Sequence, residues 1–329
     1  MLLMTPITRR GMLAGSASLV AAPLLLAQPK TTPSEPFPYC LNTSTIRVAE
    51  GQWGKPRPIL ESIKIAAKAG YHAIEPWISE LDDYVKTGGT LKDLGKQIRD
   101  AGLAVPDAIG FAEWLVDDDA RRKKGLEQAK QDMDKVQQIG GLRLAAPPVG
   151  ATGGMSRRDD PKHTNPVSDL LIAAERYAAL LELGRKMNVT PIVEVWGFSK
   201  TLSRLGETLL VAAECGLPGG AILPDVYHLY KGGSLFNGLK LLGPDSIGIF
   251  HVNDYPDIAR GKIADQDRVF PGDGVAPLKE ILSTLHKVGY RGYLSLELFN
   301  RDYWKRDALG VATEGLEKLR RQVKDALKA

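Results

Sequence analysis

The run IGIFHVND at residues 247–254 places His251 near the end of a short apolar segment with the length and composition of a buried strand. Three other apolar runs each carry an acidic residue, Glu194, Asp225 or Glu297: PIVEVWG at 191–197, AILPDVYH at 221–228 and YLSLELFN at 293–300. A buried carboxylate is rare unless it is paired or bound to a metal, and three together repel one another without a countercharge. The sequence therefore predicts that a cation holds these four side chains at one end of a parallel sheet.

Strand-like apolar runs alternate with amphipathic helix patterns after residue 38. Helix signals lie between the runs; residues 58–70, for example, begin with proline and end with glycine, as helices prefer. Eight such units over about 290 residues match a (β/α)8 TIM barrel of the α/β class. A doubly wound open sheet is the alternative, but residues 42–56 lack the glycine-rich turn that normally follows its first strand. The predicted strands are 39–46, 72–77, 104–111, 142–149, 191–197, 221–226, 247–253 and 293–299.

The first 27 residues have the layout of an export signal. Arg9 and Arg10 precede an apolar segment, and the pair resembles a twin-arginine signal. We expect export to the periplasm after residues 1–27, a proline-rich linker at 28–38 and one catalytic barrel at 39–329. An uncleaved membrane anchor is the alternative, although the apolar segment is shorter than the roughly 20 residues that a span needs. No later segment is long enough to span, so we expect no stable membrane insertion once the signal is removed.

Charge and cysteine content limit the function classes. The 329 residues include 43 Lys and Arg against 39 Asp and Glu, a formal net charge of +4. This excess is too small and too evenly spread to indicate a nucleic-acid surface, so we expect a small-molecule partner. Cys40, in the first predicted strand, and Cys215, at a helix end, are too few for a disulfide framework, and we expect buried thiols.

The four strand-end residues predict one divalent cation site. In (β/α)8 barrels the reactive groups lie where strands end and the following loops begin, and Glu194, Asp225, His251 and Glu297 follow this rule in four consecutive units. Three carboxylates and one imidazole favour Mn²⁺ as the bound cation, and Mg²⁺, Co²⁺ or Zn²⁺ are the alternatives. Taken singly, such an aspartate is more often a helix cap and such a histidine a satisfied core residue. Together on successive strands, they favour metal binding.

Five further residues are predicted to bind substrate. His228 lies just past the sixth strand and could contact substrate, orient a ligand residue, bind a second metal or simply close the loop. Arg268 could hold a substrate oxygen, with a surface salt bridge as the alternative. Asn42 and Glu75 end the first two strands, and we expect both in the pocket wall. Trp196 could stack on a sugar ring or pack in the core.

Nearly all of the chain after the signal resembles the sugar phosphate isomerase/epimerase superfamily, whose members have a xylose isomerase-like barrel. DVYHLYKGGS, HVNDYP, DRVFPGDG and SLELFNRDYW look particularly like inosose isomerases, and the predicted metal ligands also match the ketose 3-epimerases. The resemblance implies a keto-sugar or keto-inositol substrate, bound to the metal through its carbonyl and the adjacent hydroxyl. Members of this superfamily often pair, so a homo-oligomer is a further expectation.

The same resemblance divides the roles of the residues. It implies that Glu194 and Glu297 bind the metal and also relay a proton between opposite faces of a cis-enediolate, and that His228 and Arg268 contact substrate oxygens. A cation that polarises a carbonyl, with two carboxylates as base and acid, is sound chemistry for such a step. The ketose epimerases carry a further glutamate shortly after the first ligand, whereas residues 194–200 read EVWGFSK. Free fructose or psicose is therefore disfavoured.

Three other functions remain open. Some relatives cleave 3-keto-glycosides or C-glycosides, where the same enolisation expels a group β to the carbonyl. An endonuclease for abasic DNA shares the barrel but needs several extra histidines, and this chain has five in total, with only His228 and His251 suitably placed. A barrel that binds sugars without turnover is the third alternative, which the complete ligand set disfavours.

Overall fold

The computed structural model describes residues 35–155 and 164–328. Strands and helices alternate along these residues. The strands are β1 Tyr39–Asn42, β2 Ala73–Glu75, β3 Arg143–Ala146, β4 Thr190–Glu194, β5 Ile222–Leu223, β6 Phe250–Val252 and β7 Leu294–Leu296. The helices are α1 Ile59–Ala69, α2 Ile78–Lys86, α3 Leu91–Asp100, α4 Asp119–Gln138, α5 Leu170–Met187, α6 Leu205–Glu214, α7 Val226–Gly232, α8 Leu278–Lys287 and α9 Ala308–Leu327.

The strands form two parallel sheets that close into a barrel. One sheet has the order β2-β1-β7-β6 and the other the order β3-β4-β5. Isolated parallel bridges join them between β5 and β6, where Asp225 pairs with His251. On the opposite side, residues 104–109 bridge β2 and β3. The predicted (β/α)8 barrel is thereby confirmed.

The third predicted strand, 104–111, is only partly formed. Pro106 has no N–H to give to a neighbouring strand, so the segment bridges its neighbours only at Ala104 and Ile109. The Ala104 N–H still donates to the carbonyl of His72 at 3.0 Å. The segment therefore fills the third barrel position without regular strand pairing.

Residue parity decides which side chains enter the barrel. A small apolar cluster, separate from the main core, takes members from most of the barrel positions: Cys40, Ala73, Ile109, Ala145, Ile192, Leu223 and Ile249. Glu194 and His251 lie two residues after Ile192 and Ile249, so they point to the same side. The interior cluster thus forms the base on which the candidate site lies. Cys40 and Cys215 are both buried free thiols, as predicted.

The residues before the barrel were predicted as an export signal and a linker. The predicted export signal at 1–27 and residues 28–34 of the predicted linker lie outside the described residues. Phe37, in the predicted linker, is fully buried in the main core and contacts the ring of Tyr290, so packing of the barrel begins before residue 39. Over the two described ranges, no helix combines the length and apolar character that crossing a membrane requires.

Candidate active site

A cavity of about 310 Å³ opens at the carboxyl ends of the strands, a size that suits a small ligand. Of the residues predicted to form a site, Glu194, Trp196, His228, Arg268 and Glu297 line it. Half of the other lining residues are aromatic: Trp53, Trp77, Phe111, Phe198, Tyr227 and Phe299. The others are Ile109, Met155, Lys231, Ile263, Ala264 and Asp265.

Asp225, His251 and Glu297 form a close group. One possible ligand atom from each lies within 4.8 Å of the others. His251 Nδ1 is 3.2 Å from Glu297 Oε2 and 3.9 Å from Asp225 Oδ2. All three side chains are buried. Two carboxylates and one imidazole nitrogen can therefore converge on a single cation.

Glu194 lies outside that close group but lines the same cavity. It ends β4, and its Oε1 is 3.9 Å from His228 Nε2. Burial and the charge of Glu297 raise the pKa of Glu194 well above its ordinary value. The structure thus brings three of the four predicted ligands together and places the fourth nearby.

Arg268 supplies a buried positive charge beside the ligand group. Its Nη1 donates to Asp225 Oδ2 at 3.1 Å and to Glu297 Oε2 at 2.9 Å. Its Nη2 donates to Asp265 Oδ1 at 2.8 Å, and the guanidinium carbon is 4.3 Å from the centre of the Tyr227 ring. The side chain is 1% exposed, so the surface salt bridge considered for Arg268 is excluded.

The charges of this group shift the pKa values of its members in opposite directions. Burial lowers the pKa of His251, but the charges of Glu75 and Glu297 raise it well above its ordinary value. Burial raises the pKa of Glu297, but the charge and hydrogen bond of His251, with the charge of Arg268, lower it to about 2. Burial and Arg268 lower the pKa of His228 well below its ordinary value. Glu297 is therefore ionised and His228 neutral at neutral pH.

Asp225 combines the two roles weighed for a strand-end aspartate. Its Oδ1 accepts from the His228 N–H at 2.7 Å, which caps α7. Its Oδ2 accepts from Asn253 Nδ2 at 2.8 Å and lies next to Arg268 and His251. One oxygen is therefore used by the helix, and the other faces the ligand group.

Asn42 and Glu75 do not line the cavity, which corrects the prediction that they form its wall. Both are fully buried and pair in register on β1 and β2. Glu75 Oε1 is 2.9 Å from His251 Nε2, and Glu75 Oε2 accepts from Asn42 Nδ2 at 2.8 Å. Their polar partners are side chains of the barrel interior, because parity turns both residues inward.

Sequence reasoning missed Asp107, which is fully buried beside Glu75. Neither Asp107 carboxylate oxygen has a hydrogen-bond partner among the described residues. With Glu75 and His251 it forms a second group whose ligand atoms lie within 4.8 Å of one another. Burial and the charge of Glu75 raise the pKa of Asp107 well above its ordinary value. One sequence feature could have identified Asp107, because it is an acidic residue inside the apolar run LAVPDAIGF at 103–111. However, Pro-Asp pairs are typical of turns.

The donor set fits a divalent cation of hard or borderline character. Carboxylate oxygens and an imidazole nitrogen are ligands that Mn²⁺, Mg²⁺ and Zn²⁺ accept. Glu75 is hydrogen-bonded to His251 Nε2, so Nδ1 is the ring nitrogen that faces Asp225 and Glu297. Such a cation would be held by Asp225, His251 and Glu297, with Glu194 close enough to join them.

Comparison with known proteins agrees with this fold. The profile of the family described as xylose isomerase-like TIM barrel matches residues 63–322. The fold and the ligand group define a barrel of the isomerase/epimerase type, and the chain belongs to the xylose isomerase-like TIM barrel family.

Two curated relatives and one solved structure illustrate the range of that family. The chain is 25% identical over 254 residues to an inosose isomerase of Bacillus velezensis, covering 75% of this chain and 86% of the relative. It is 21% identical over 262 residues to a 3-dehydroshikimate dehydratase of Pseudomonas putida, covering 79% of this chain and 39% of that protein. The structure of IolI protein with a binding zinc atom superposes with a TM-score of 0.76 at 20% identity, covering 88% of this chain and 99% of IolI. Relatives of this kind support an enzyme that acts on a small carbohydrate-like molecule.

Proposed function

We propose that the protein is a divalent-cation-dependent isomerase or epimerase of a keto-sugar or keto-inositol. The observation that carries the proposal is the buried group of Asp225, His251 and Glu297, together with the cavity that Glu297 and Glu194 both line. Two carboxylates that lie beside one histidine and one arginine, with a third carboxylate nearby, form a site that a divalent cation would stabilise. Isomerisation through the carbon next to a carbonyl uses such a site.

Four residues of this chain would hold the cation: Glu194, Asp225, His251 through Nδ1, and Glu297. When bound, the cation supplies a positive charge that polarises a carbonyl and acidifies the neighbouring C–H bond. Mn²⁺ remains our first choice because carboxylate oxygens dominate the set. The zinc named in the IolI structure makes Zn²⁺ the second.

Glu194 and Glu297 would move the proton. One glutamate removes the proton from the carbon adjacent to the carbonyl, which gives an enediolate, and the other returns a proton to the opposite face or to the neighbouring carbon. Both carboxyls line the cavity, so both can reach a bound ring. Glu297 is held by Arg268 and Asn42, which fixes the direction in which it can accept a proton.

The cavity wall would orient the substrate. His228 and Arg268 line the cavity and would contact substrate oxygens. Trp196 stacks obliquely on Phe198 with ring centres 4.8 Å apart, and both line the cavity. An aromatic surface of this kind suits the C–H face of a sugar ring.

A second candidate is elimination from a 3-keto-glycoside or C-glycoside, with the same enolisation followed by loss of a group β to the carbonyl. The aromatic wall favours it, because an apolar aglycone would bury more of that wall than a free polyol. The similarity to a protein named a dehydratase points the same way.

Hydrogen exchange into substrate tests both candidates. The protein, loaded with Mn²⁺ and dissolved in D₂O, is incubated with inososes, common ketoses and 3-keto-glucosides, and chelator-treated protein serves as the control. We expect deuterium at the α-carbon together with an epimer or isomer. Deuterium together with a released aglycone would instead establish elimination. Cation-loaded protein that binds these compounds and exchanges no α-hydrogen would be a sugar-binding barrel, and the proposal would be wrong.

We also propose that the protein is exported, on the basis of Arg9, Arg10 and the apolar segment that follows. Full-length protein produced in bacteria with a twin-arginine pathway should appear in the periplasmic fraction. The double change Arg9→Lys, Arg10→Lys should retain it in the cytoplasm. Protein found in the membrane fraction would indicate an uncleaved anchor instead.

A further inference from the structure

We propose that Glu75 is a positioning residue that holds a proton on His251 Nε2, so that Nδ1 is the ring nitrogen that offers its lone pair to a cation bound beside Asp225 and Glu297. This inference rests on the proposed cation site and deepens it. It replaces the substrate-contact role predicted for Glu75 with a role behind the ligand group.

The contacts of His251 carry the first step. Its Nε2 is 2.9 Å from Glu75 Oε1, whereas its Nδ1 is 3.2 Å from Glu297 Oε2. His251 and Glu75 are both fully buried, so water does not compete for either nitrogen. A histidine ligand of a metal usually donates its other ring N–H to a carboxylate, which fixes the tautomer and the ring orientation. Glu75 has the position of that carboxylate.

The second step is that Glu75 is itself held in one orientation. Its Oε2 accepts from Ser295 Oγ at 2.6 Å and from Asn42 Nδ2 at 2.8 Å. Ser295 pairs in register with His251 on the neighbouring strand. Asn42 Nδ2 is also 3.2 Å from Glu297 Oε1. The Asn42 amide thus contacts both glutamates that flank the His251 ring: Glu75 on the Nε2 side and Glu297 on the Nδ1 side.

The third step fixes which end of the Asn42 amide faces Glu75. Asn42 Oδ1 accepts from the indole Nε1 of Trp77 and from the Ser44 N–H, each at 3.0 Å. Both of these groups can only donate, so the oxygen of Asn42 must face them. The NH₂ of Asn42 must therefore face Glu75, and Glu75 must offer it an acceptor.

These constraints make Glu75→Gln an informative change. The carbonyl oxygen of the new glutamine must take the place of Oε2, because Asn42 offers it only a donor. Its NH₂ group then faces His251 Nε2, which has to become an acceptor. The His251 proton moves to Nδ1 and points at Asp225 and Glu297. The side chain keeps its size, yet the lone pair needed by a cation is lost.

Glu80→Gln is the matched control. Glu80 is also a buried glutamate, 3% exposed, and it contacts Thr43 Oγ1 and the Trp77 N–H. It has no hydrogen bond to His251 or its partners among the described contacts. This change shows how cation affinity responds when a buried carboxyl that does not contact His251 is replaced by an amide of the same shape.

Two measurements on the full chain test the inference. Calorimetric titration with Mn²⁺ and with Zn²⁺ should give an affinity about 10- to 100-fold lower for Glu75→Gln than for the wild type, with Glu80→Gln like the wild type. ¹⁵N spectra of histidine-labelled protein with Zn²⁺ should show His251 protonated at Nε2 in the wild type and not in Glu75→Gln. The His251 signals are assigned by their loss in His251→Asn.

The outcomes separate this inference from the proposed function. Unchanged affinity with the proton still on Nε2 in Glu75→Gln would overturn the role of Glu75 alone. Two Zn²⁺ per wild-type chain with Nε2 unprotonated would also overturn it, because Glu75 and Asp107 would then be ligands. No cation binding, with an Nε2 proton that Glu75→Gln removes, would overturn the proposed function and support the positioning role. The wild-type Zn²⁺ spectrum tests the tautomer even if Glu75→Gln does not fold.

Discussion

Glu297 accepts hydrogen bonds on both of its oxygens, and this matters for its proposed work as a base. Oε1 accepts from Asn42 Nδ2 at 3.2 Å, and Oε2 accepts from Arg268 Nη1 at 2.9 Å. The carboxylate is therefore immobilised before substrate arrives, which removes part of the entropy cost of a positioned proton transfer. The same contacts mean that an amide at this position meets a donor whichever way it turns.

The change Glu297→Gln should abolish most of the exchange of the substrate α-hydrogen. General acid–base catalysis contributes about 10²- to 10⁴-fold, so we expect a rate loss of that order with some cation still bound. Deuterium incorporation measures it. Glu280→Gln, at an exposed ion pair with Lys240, should exchange at the wild-type rate. Near-normal exchange by Glu297→Gln would remove Glu297 from proton transfer.

The loop after β4 touches the backbone of α7 so closely that only glycine fits. A Cβ on Gly197 would lie 2.3 Å from the His228 carbonyl oxygen and 2.7 Å from the Gly232 nitrogen. The Gly197 N–H also donates to His228 Nδ1 at 3.2 Å. This contact sets the separation between the strand that carries Glu194 and the helix that carries His228.

Gly197→Ala should therefore lower both stability and activity. The added methyl group meets backbone atoms, and overpacking of this kind costs about 1–3 kcal/mol. Thermal unfolding and substrate exchange measure the two effects. Gly206→Ala is the control, because a Cβ there meets nothing within 4 Å and alanine favours a helix by about 0.5–1 kcal/mol. An unchanged melting temperature for Gly197→Ala would show that the loop relaxes freely.

The first turn of α2 holds a buried acid whose ionisation should oppose folding. Burial raises the pKa of Glu80 to about 7, although hydrogen bonds from Trp77 and Thr43 oppose the shift. The pKa of an unfolded-chain glutamate is about 4.3. Since the folded state holds this proton more tightly, its contribution to stability is full below the unfolded pKa and is lost as the pH rises towards about 7.

Glu80→Gln should remove that pH dependence. Between about pH 5 and pH 8 the wild type should lose stability relative to Glu80→Gln, by an amount of the order of a few kcal/mol. Thermal unfolding at several pH values measures it. Parallel stability curves for the two proteins would show that Glu80 titrates normally.

At the scale of the whole molecule, the barrel gathers ligands that are far apart in the chain, so a bound cation should stabilise all of it. Saturation at about 100 times the dissociation constant adds about 2.7 kcal/mol. Mn²⁺ should raise the melting temperature, and a chelator should lower it to that of the cation-free protein. Asp225→Asn should show a much smaller response to either treatment. A wild-type melting temperature that does not change when Mn²⁺ is added would contradict the proposed site.

The barrel and the closeness of Asp225, His251 and Glu297 could be predicted because their signals are local. The run around His251 has the length and apolar character of a strand, and the position of a polar residue at its end is visible in the sequence. The third strand was predicted over residues 104–111 but is only partly formed, because Pro106 interrupts its pairing. The prediction that Asn42 and Glu75 form the cavity wall was wrong for a different reason. Whether a strand-end side chain faces the cavity or lies beneath it depends on the stagger of neighbouring strands, which no single segment encodes.

The seam between β5 and β6 has a consequence for motion. There the two sheets meet at isolated bridges, one of which pairs Asp225 with His251. The His251 N–H donates to the Pro224 carbonyl and the Gly248 N–H to the Ile222 carbonyl, so few amides hold the seam closed. A cation held by Asp225 and His251 would tie the two edges together. Amide protons along this seam should therefore exchange with solvent faster than those inside either sheet, and slow markedly when a divalent cation is added.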